Sequence, residues 1–227
     1  MITIIIVALN VLVWFYELLH GVDLSALDYG IIPAWVLNGV REGHLRLPGV
    51  GAVTLYQEVP HPLTLFTSMF IHGSWMHLIG NMWFLWLFGD NVEEAMGRAR
   101  FVVFYLVCGL AAALAQILAV PHSTMPMVGA SGAIAGVLGG YLILFPRARV
   151  RCLWILIIFI TTIVLPAWLL LGLWFLSQFF IPTHSGVAWM AHVGGFVAGV
   201  ALVRVFTLGR WPRPEPPPSV FYQYRYR

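Results

Sequence analysis

The chain has 227 residues, of which 60% are hydrophobic and 9% charged, and its mean hydropathy is +0.88. A soluble domain carries about 25% charged residues, so the composition excludes an ordinary soluble fold and describes an all-α, polytopic membrane protein. The net charge of +3 comes from arginines near segment ends, with no lysine anywhere, which excludes a nucleic-acid-binding stripe.

Six apolar stretches follow in chain order, roughly 2–20, 75–89, 100–119, 131–145, 152–180 and 187–207. Each reads as a helical span, giving one six-helix bundle over 1–208 and a Pro-rich tail over 209–227 that is expected to be disordered. The first stretch lacks a basic flank and an Ala-x-Ala site, so it reads as a retained helix, not a removed signal peptide. Residues 21–74 form a long outer loop, with an amphipathic piece around Ser25–Val40 expected to lie in the outer leaflet. Span four, set between Pro126 and Pro146, covers only about 24 Å of a hydrocarbon core about 30 Å thick. The loop before it, Pro121 to Ala130, must therefore dip into the membrane, where irregular backbone is tolerated only if buried in protein or lining water. Pro166 predicts a kink or tilt within span five. Cys108 and Cys152 lie in or beside apolar stretches and read as small buried residues rather than a disulfide.

Ten arginines fall on one side of these spans, and only Arg41 and Arg46 fall on the other. The positive-inside rule puts both termini in the cytoplasm. The expected location is a bacterial inner membrane, with an organellar membrane as the alternative. Spans two, four and six then run inward from the outer face. That direction gathers His77, Asn81, Ser131 and His192 at one membrane level.

Ser131 opens span four, where free backbone N–H groups and the positive end of the helix dipole favour a developing oxyanion. A lone intramembrane serine is more often interhelical glue, and Gly132, Gly136 and Gly140 do form a small-residue stripe for packing. His192 opens span six, followed by Gly195 and Gly199 at the same packing spacing. A neutral imidazole there suits a general base, with an interhelical hydrogen bond as the alternative role. The central parts of spans two to six hold no carboxylate, which leaves a Ser-His dyad rather than a triad. Ser74 caps span two, so His77 and Asn81 share a helix face and are candidate oxyanion-hole donors with the Ser131 backbone N–H. His72 and His77 are badly spaced for shared ligation, and no metal or other cofactor is expected. His20, His44, His61, His122 and His184 are expected to be solvated.

Together, His72-Gly-Ser-Trp-Met-His77-Leu-Ile-Gly-Asn81, Gly89-Asp-Asn-Val-Glu93, Gly129-Ala-Ser131-Gly132 and Ala191-His192-Val-Gly-Gly195-Phe-Val-Ala-Gly199 closely resemble the rhomboid family of intramembrane serine proteases. The resemblance covers nearly the whole chain as far as Arg204. It implies Ser131 as nucleophile, His192 as general base and then acid, and His77, Asn81 and the Ser131 N–H as oxyanion hole. It further implies that Gly129 shapes the turn before the nucleophile and that His72 is structural. Partners would be the lipid bilayer and single-span membrane protein substrates, admitted between spans two and five and cut near the outer face. The alternative is a non-catalytic relative that binds and routes membrane proteins. A transporter would show internal repeats and midplane charges, and neither is present. Two features depart from the family. Leu63-Thr64 stand where many members carry Trp-Arg in the outer loop. Ala135 stands where some members stack an aromatic ring on the histidine, so His192 must be aligned by other packing.

Overall fold

A computed structural model describes residues 1–47, 51–156, 159–182 and 185–210. The order of elements is α1 (Ile2–His20), α2 (Val22–Tyr29), α3 (Pro33–Asn38), β1 (Glu42–Leu47), β2 (Gly51–Tyr56), α4 (His61–Thr67), α5 (Trp75–Met96), α6 (Arg98–Ala119), α7 (Ser131–Leu144), β3 (Arg149–Leu156), β4 (Phe159–Pro166), α8 (Ala167–Gln178) and α9 (Trp189–Phe206). Among the described residues, α1, α6 and α9 are long and apolar enough to cross a membrane. Ile4, Ile5, Leu12, Phe15 and Leu19 on α1, and Leu114 and Leu118 on α6, are exposed, as lipid-facing side chains would be.

The fold is built around α7. This helix is buried almost throughout and packs on α9, α6 and α5. Its contact with α9 is backbone on backbone. A Cβ on Gly195 would lie 2.0 Å from the Gly132 carbonyl oxygen, and one on Gly199 would lie 1.9 Å from that of Gly136. Without side chains at these crossings the helices approach closely enough to gain dense van der Waals contact, which is what holds apolar helices together where there is no water to exclude. Gly140, the third member of the expected stripe, faces the Phe104 ring and Val203 instead.

Two buried carboxylates tie α1 to its neighbours. Glu93 near the end of α5 accepts the backbone N–H groups of Ile2 and Thr3 and the Thr3 hydroxyl, all at 2.8 Å, and so caps the start of α1. Glu17 near the end of α1 accepts the His72 N–H at 3.1 and 3.0 Å. Arg100 at the start of α6 donates to the carbonyls of Phe206 and Leu208, satisfying the C-terminal end of α9.

The expected fifth span is corrected. Residues 149–156 and 159–166 pair as antiparallel strands, with Arg149 opposite Pro166 and Leu156 opposite Phe159, and among the described residues of this span only Ala167–Gln178 is helical. The run Ile160-Thr-Thr-Ile-Val164 is rich in β-branched residues, which are stiff at χ1 and favour a strand. Pro166 ends the hairpin as the N-cap of α8 instead of kinking a helix. Hydropathy alone does not separate the two structures, because both are apolar.

The outer segment is also more divided than the sequence suggested. The piece around Ser25–Val40 is two short helices broken at Gly30–Ile32, followed by the β1–β2 hairpin. The loop before α7 leans on this segment. Ile31 and Met127 exchange backbone hydrogen bonds at 3.0 and 2.7 Å, Ala34 N–H reaches the Ser123 carbonyl at 3.0 Å, and Gly129 N–H reaches that of Ser68 at 2.8 Å. Irregular backbone beside the bundle thus has protein partners. Residues 211–227, which include most of the tail, and His184 lie outside the described residues.

Candidate active site

Ser131 is the first residue of α7, and the turn that delivers it requires a glycine. Gly129 has φ of +121°, a conformation costly for residues with a Cβ. A Cβ at Gly129 would also stand 2.6 Å from His77 Nε2 and 3.6 Å from Ser131 Oγ. The chain therefore passes between the serine and the α5 histidine with no side chain in the gap. Behind it, Gly132 faces Ala112 so closely that a Cβ would sit 2.6 Å from the alanine Cβ.

His192 lies one turn into α9, whose start is fixed from α6. Gln116 Oε1 accepts the Ala191 N–H at 3.2 Å. His192 Nε2 is 2.9 Å from Ser131 Oγ, and Nδ1 is 2.7 Å from Gln178 Oε1 at the end of α8. The Trp174 ring on α8 lies 6.0 Å from the imidazole at an interplanar angle of 40°. Ala135, at the position where an aromatic was absent, is fully buried. The histidine is thus held by Gln178 and Trp174, which the sequence reading did not single out.

His77 and Asn81 sit one turn apart on α5, whose N-terminus is capped by Ser74 Oγ accepting the His77 N–H at 3.2 Å. His77 Nδ1 accepts a long hydrogen bond of 3.5 Å from Gly73 N–H. That assignment leaves the Nε2 of His77 as the protonated nitrogen, on the side facing Gly129. Asn81 is buried, and its Nδ2 has no hydrogen-bond partner. Asn81 lines the cavity described below, so an acceptor that enters it comes within reach of this amide. His72 is fully buried, with Nδ1 against the Phe70 carbonyl at 3.2 Å and its ring edge-on to His77 at 5.1 Å.

His77, Asn81, Ser131, Trp174 and His192 border a cavity of about 600 Å³. Met76, His77, Asn81 and Phe84 of α5 form one wall, Trp174 of α8 and His192 of α9 another, and Ser131 lies at its edge. Among the described residues no three His, Cys, Asp or Glu side chains converge as a metal site would need. Three other histidines are engaged at the periphery, and His122 is exposed. His20 pairs with Asp28 at 3.2 Å, His44 with the Thr54 hydroxyl at 3.1 Å, and His61 Nε2 with the Val40 carbonyl at 2.7 Å. Of the Leu63-Thr64 pair in the outer loop, Leu63 is exposed and Thr64 is buried, its hydroxyl donating to the His61 carbonyl.

A family model described as the rhomboid domain matches residues 60–208. The chain is similar to Rhomboid-like protein 11, chloroplastic, of Arabidopsis thaliana, 36% identical over 91 residues that make up 40% of this chain and 32% of that protein. It is similar to Rhomboid protein 1, mitochondrial, of Saccharomyces cerevisiae, 30% identical over 148 residues, 63% of this chain and 36% of that one. It is also similar to Rhomboid protease GluP of Bacillus subtilis, 38% identical over 78 residues, 34% of this chain and 15% of that one. The chain thus spans well under half the length of these curated relatives. Chloroplast, mitochondrion and bacterium all occur among them, so the likeness gives no support to a bacterial inner membrane in particular.

Proposed function

The chain belongs to the rhomboid family and is an integral membrane protein, and we propose that it is a serine endopeptidase that cleaves single-span membrane proteins within the bilayer. The observation that carries this reading is the 2.9 Å approach of His192 Nε2 to Ser131 Oγ at the edge of a large cavity. In this reading α1, α5, α6, α7, α8 and α9 are the six spans. Ser131 Oγ attacks the scissile carbonyl as His192 Nε2 takes its proton. The oxyanion that forms meets the Ser131 backbone N–H, the free Asn81 Nδ2 and the Nε2–H of His77. His192 then protonates the leaving amine, and water from the cavity repeats the sequence on the acyl-enzyme.

The gap between α5 and α8 supports lateral entry of the substrate. α8 packs on α9, α7 and the β3–β4 hairpin, and the cavity lies between it and α5. A helical substrate shields its own carbonyls, so Gly or Pro near the cut should hasten cleavage by making unwinding easier.

The test uses purified wild type and Ser131→Ala in liposomes with a single-span substrate that carries a helix-weakening glycine and a small residue at the cut. Wild type should cleave it and take a fluorophosphonate label, and Ser131→Ala should do neither. Cleavage that persists in Ser131→Ala would remove the dyad. A wild type that binds the substrate, and neither cleaves nor labels, would favour a non-catalytic, membrane-protein-binding role.

A further inference from the structure

The side-chain amide of Gln178 is oriented on its own helix. Its Nε2 donates to the Trp174 carbonyl one turn back at 2.9 Å and to the Ser177 hydroxyl at 3.1 Å. Turning the amide over would set its oxygen against the Trp174 carbonyl oxygen, two acceptors with no proton between them. The oxygen Oε1 therefore points at His192 Nδ1, 2.7 Å away. An oxygen accepts only from a protonated nitrogen, so Nδ1 carries the hydrogen and Nε2, 2.9 Å from Ser131 Oγ, carries the lone pair. Gln178 is 4% exposed, so water does not compete for its oxygen.

We propose that Gln178 is a positioning residue that fixes the tautomer and the ring plane of His192, so that the dyad operates as a Ser131–His192–Gln178 relay with a neutral third member. This rests on the serine protease reading above. The role matches that of a carboxylate orienting a catalytic histidine, where the wrong tautomer is severely inactivating. A neutral amide does the work without a buried charge, whose desolvation is costly. The arrangement also explains how His192 stays aligned with Ala135 in place of an aromatic ring.

Two substitutions separate orientation from mere packing. Gln178→Met keeps the length and removes the strong acceptor. Gln178→Glu, as the neutral acid, keeps an acceptor for Nδ1–H and a hydrogen for the Trp174 carbonyl at the cost of a buried carboxyl. A packing role predicts that methionine is the better replacement and glutamate the worse. Orientation predicts the reverse for turnover. Gln178→Met should lower kcat about 10–100-fold, the range seen when a supporting hydrogen-bond partner is lost, with KM unchanged and fluorophosphonate labelling of Ser131 slowed in parallel. Gln178→Glu should stay within several-fold of wild type in both. Thermal unfolding in detergent, run beside the assays, reports packing separately. Full turnover in Gln178→Met, or turnover lower in Gln178→Glu than in Gln178→Met, would overturn the proposal. A wild type unlabelled at Ser131 would bring down the dyad reading, and this one with it. Labelling of wild type with no difference among the Gln178 variants would bring down this one alone.

Discussion

At Gly129 a single methyl group would intrude on the proposed site. Alanine there must adopt a positive φ and place its Cβ 2.6 Å from His77 Nε2. Backbone strain of this kind costs about 1–3 kcal/mol, and relieving it moves either Ser131 or His77. Gly129→Ala should therefore cut turnover more than Asn81→Ala does. Asn81→Ala removes one of the three proposed oxyanion donors and should lose roughly 10²-fold, at the lower end of what single donors contribute. His192→Ala removes the proposed proton acceptor and should lose about 10²–10⁴-fold. Turnover numbers for the three variants on one substrate check the order, and full activity in His192→Ala would sink its role.

At the scale of elements, the contact between α7 and α9 sets the distance between the two proposed catalytic residues. Gly199→Ala would force its Cβ into the Gly136 carbonyl at 1.9 Å, and backbone has no rotamer by which to yield. Gly140→Ala meets the Phe104 ring at 3.1 Å, a side-chain contact that needs to give only a few tenths of an ångström. Gly199→Ala should lower stability by about 1–3 kcal/mol, as overpacking does, and slow labelling of Ser131, whereas Gly140→Ala should do neither to the same degree. Unfolding in detergent and labelling rates measure both. These helices could be read from the sequence because length, apolar content and small-residue spacing are local properties. Ser131, His192, His77 and Asn81 could be picked out as candidates because polar groups are conspicuous in apolar spans. The β3–β4 hairpin could not, since β-branched strands and apolar helices share one hydropathy. Gln178 escaped notice for another reason. An amide at the end of an apolar run looks like an interfacial residue until folding brings α8 to α9 across 14 residues of chain. Gln116 and Glu93 are hidden in the same way, as caps whose helices lie far off in sequence.

For the molecule as a whole, unequal helix lengths decide where water meets the site. α6 has 22 residues, but α7 has 14 and α8 has 12. At 1.5 Å per residue, the short pair span about 21 and 18 Å, against a hydrocarbon core of about 30 Å. If the arginine-rich ends of these helices rest at the inner interface, their other ends stop short of the outer one, and the cavity between α5 and α8 opens toward the outer side. The inner end would then hold Arg98, Arg100, Arg147, Arg149, Arg151 and Arg204, and the outer end Ser131 and His192. This orientation is testable without any substrate. With Cys108→Ala and Cys152→Ser as background, a single cysteine is placed at exposed Met125, just before α7, or at exposed Arg149, at the start of β3. In intact bacterial cells producing the protein, a membrane-impermeant maleimide should label the cysteine of Met125→Cys and leave that of Arg149→Cys untouched until the membrane is opened. The opposite pattern would turn the molecule over and put the dyad on the arginine-poor but cytoplasmic side, where its substrates would have to be sought instead.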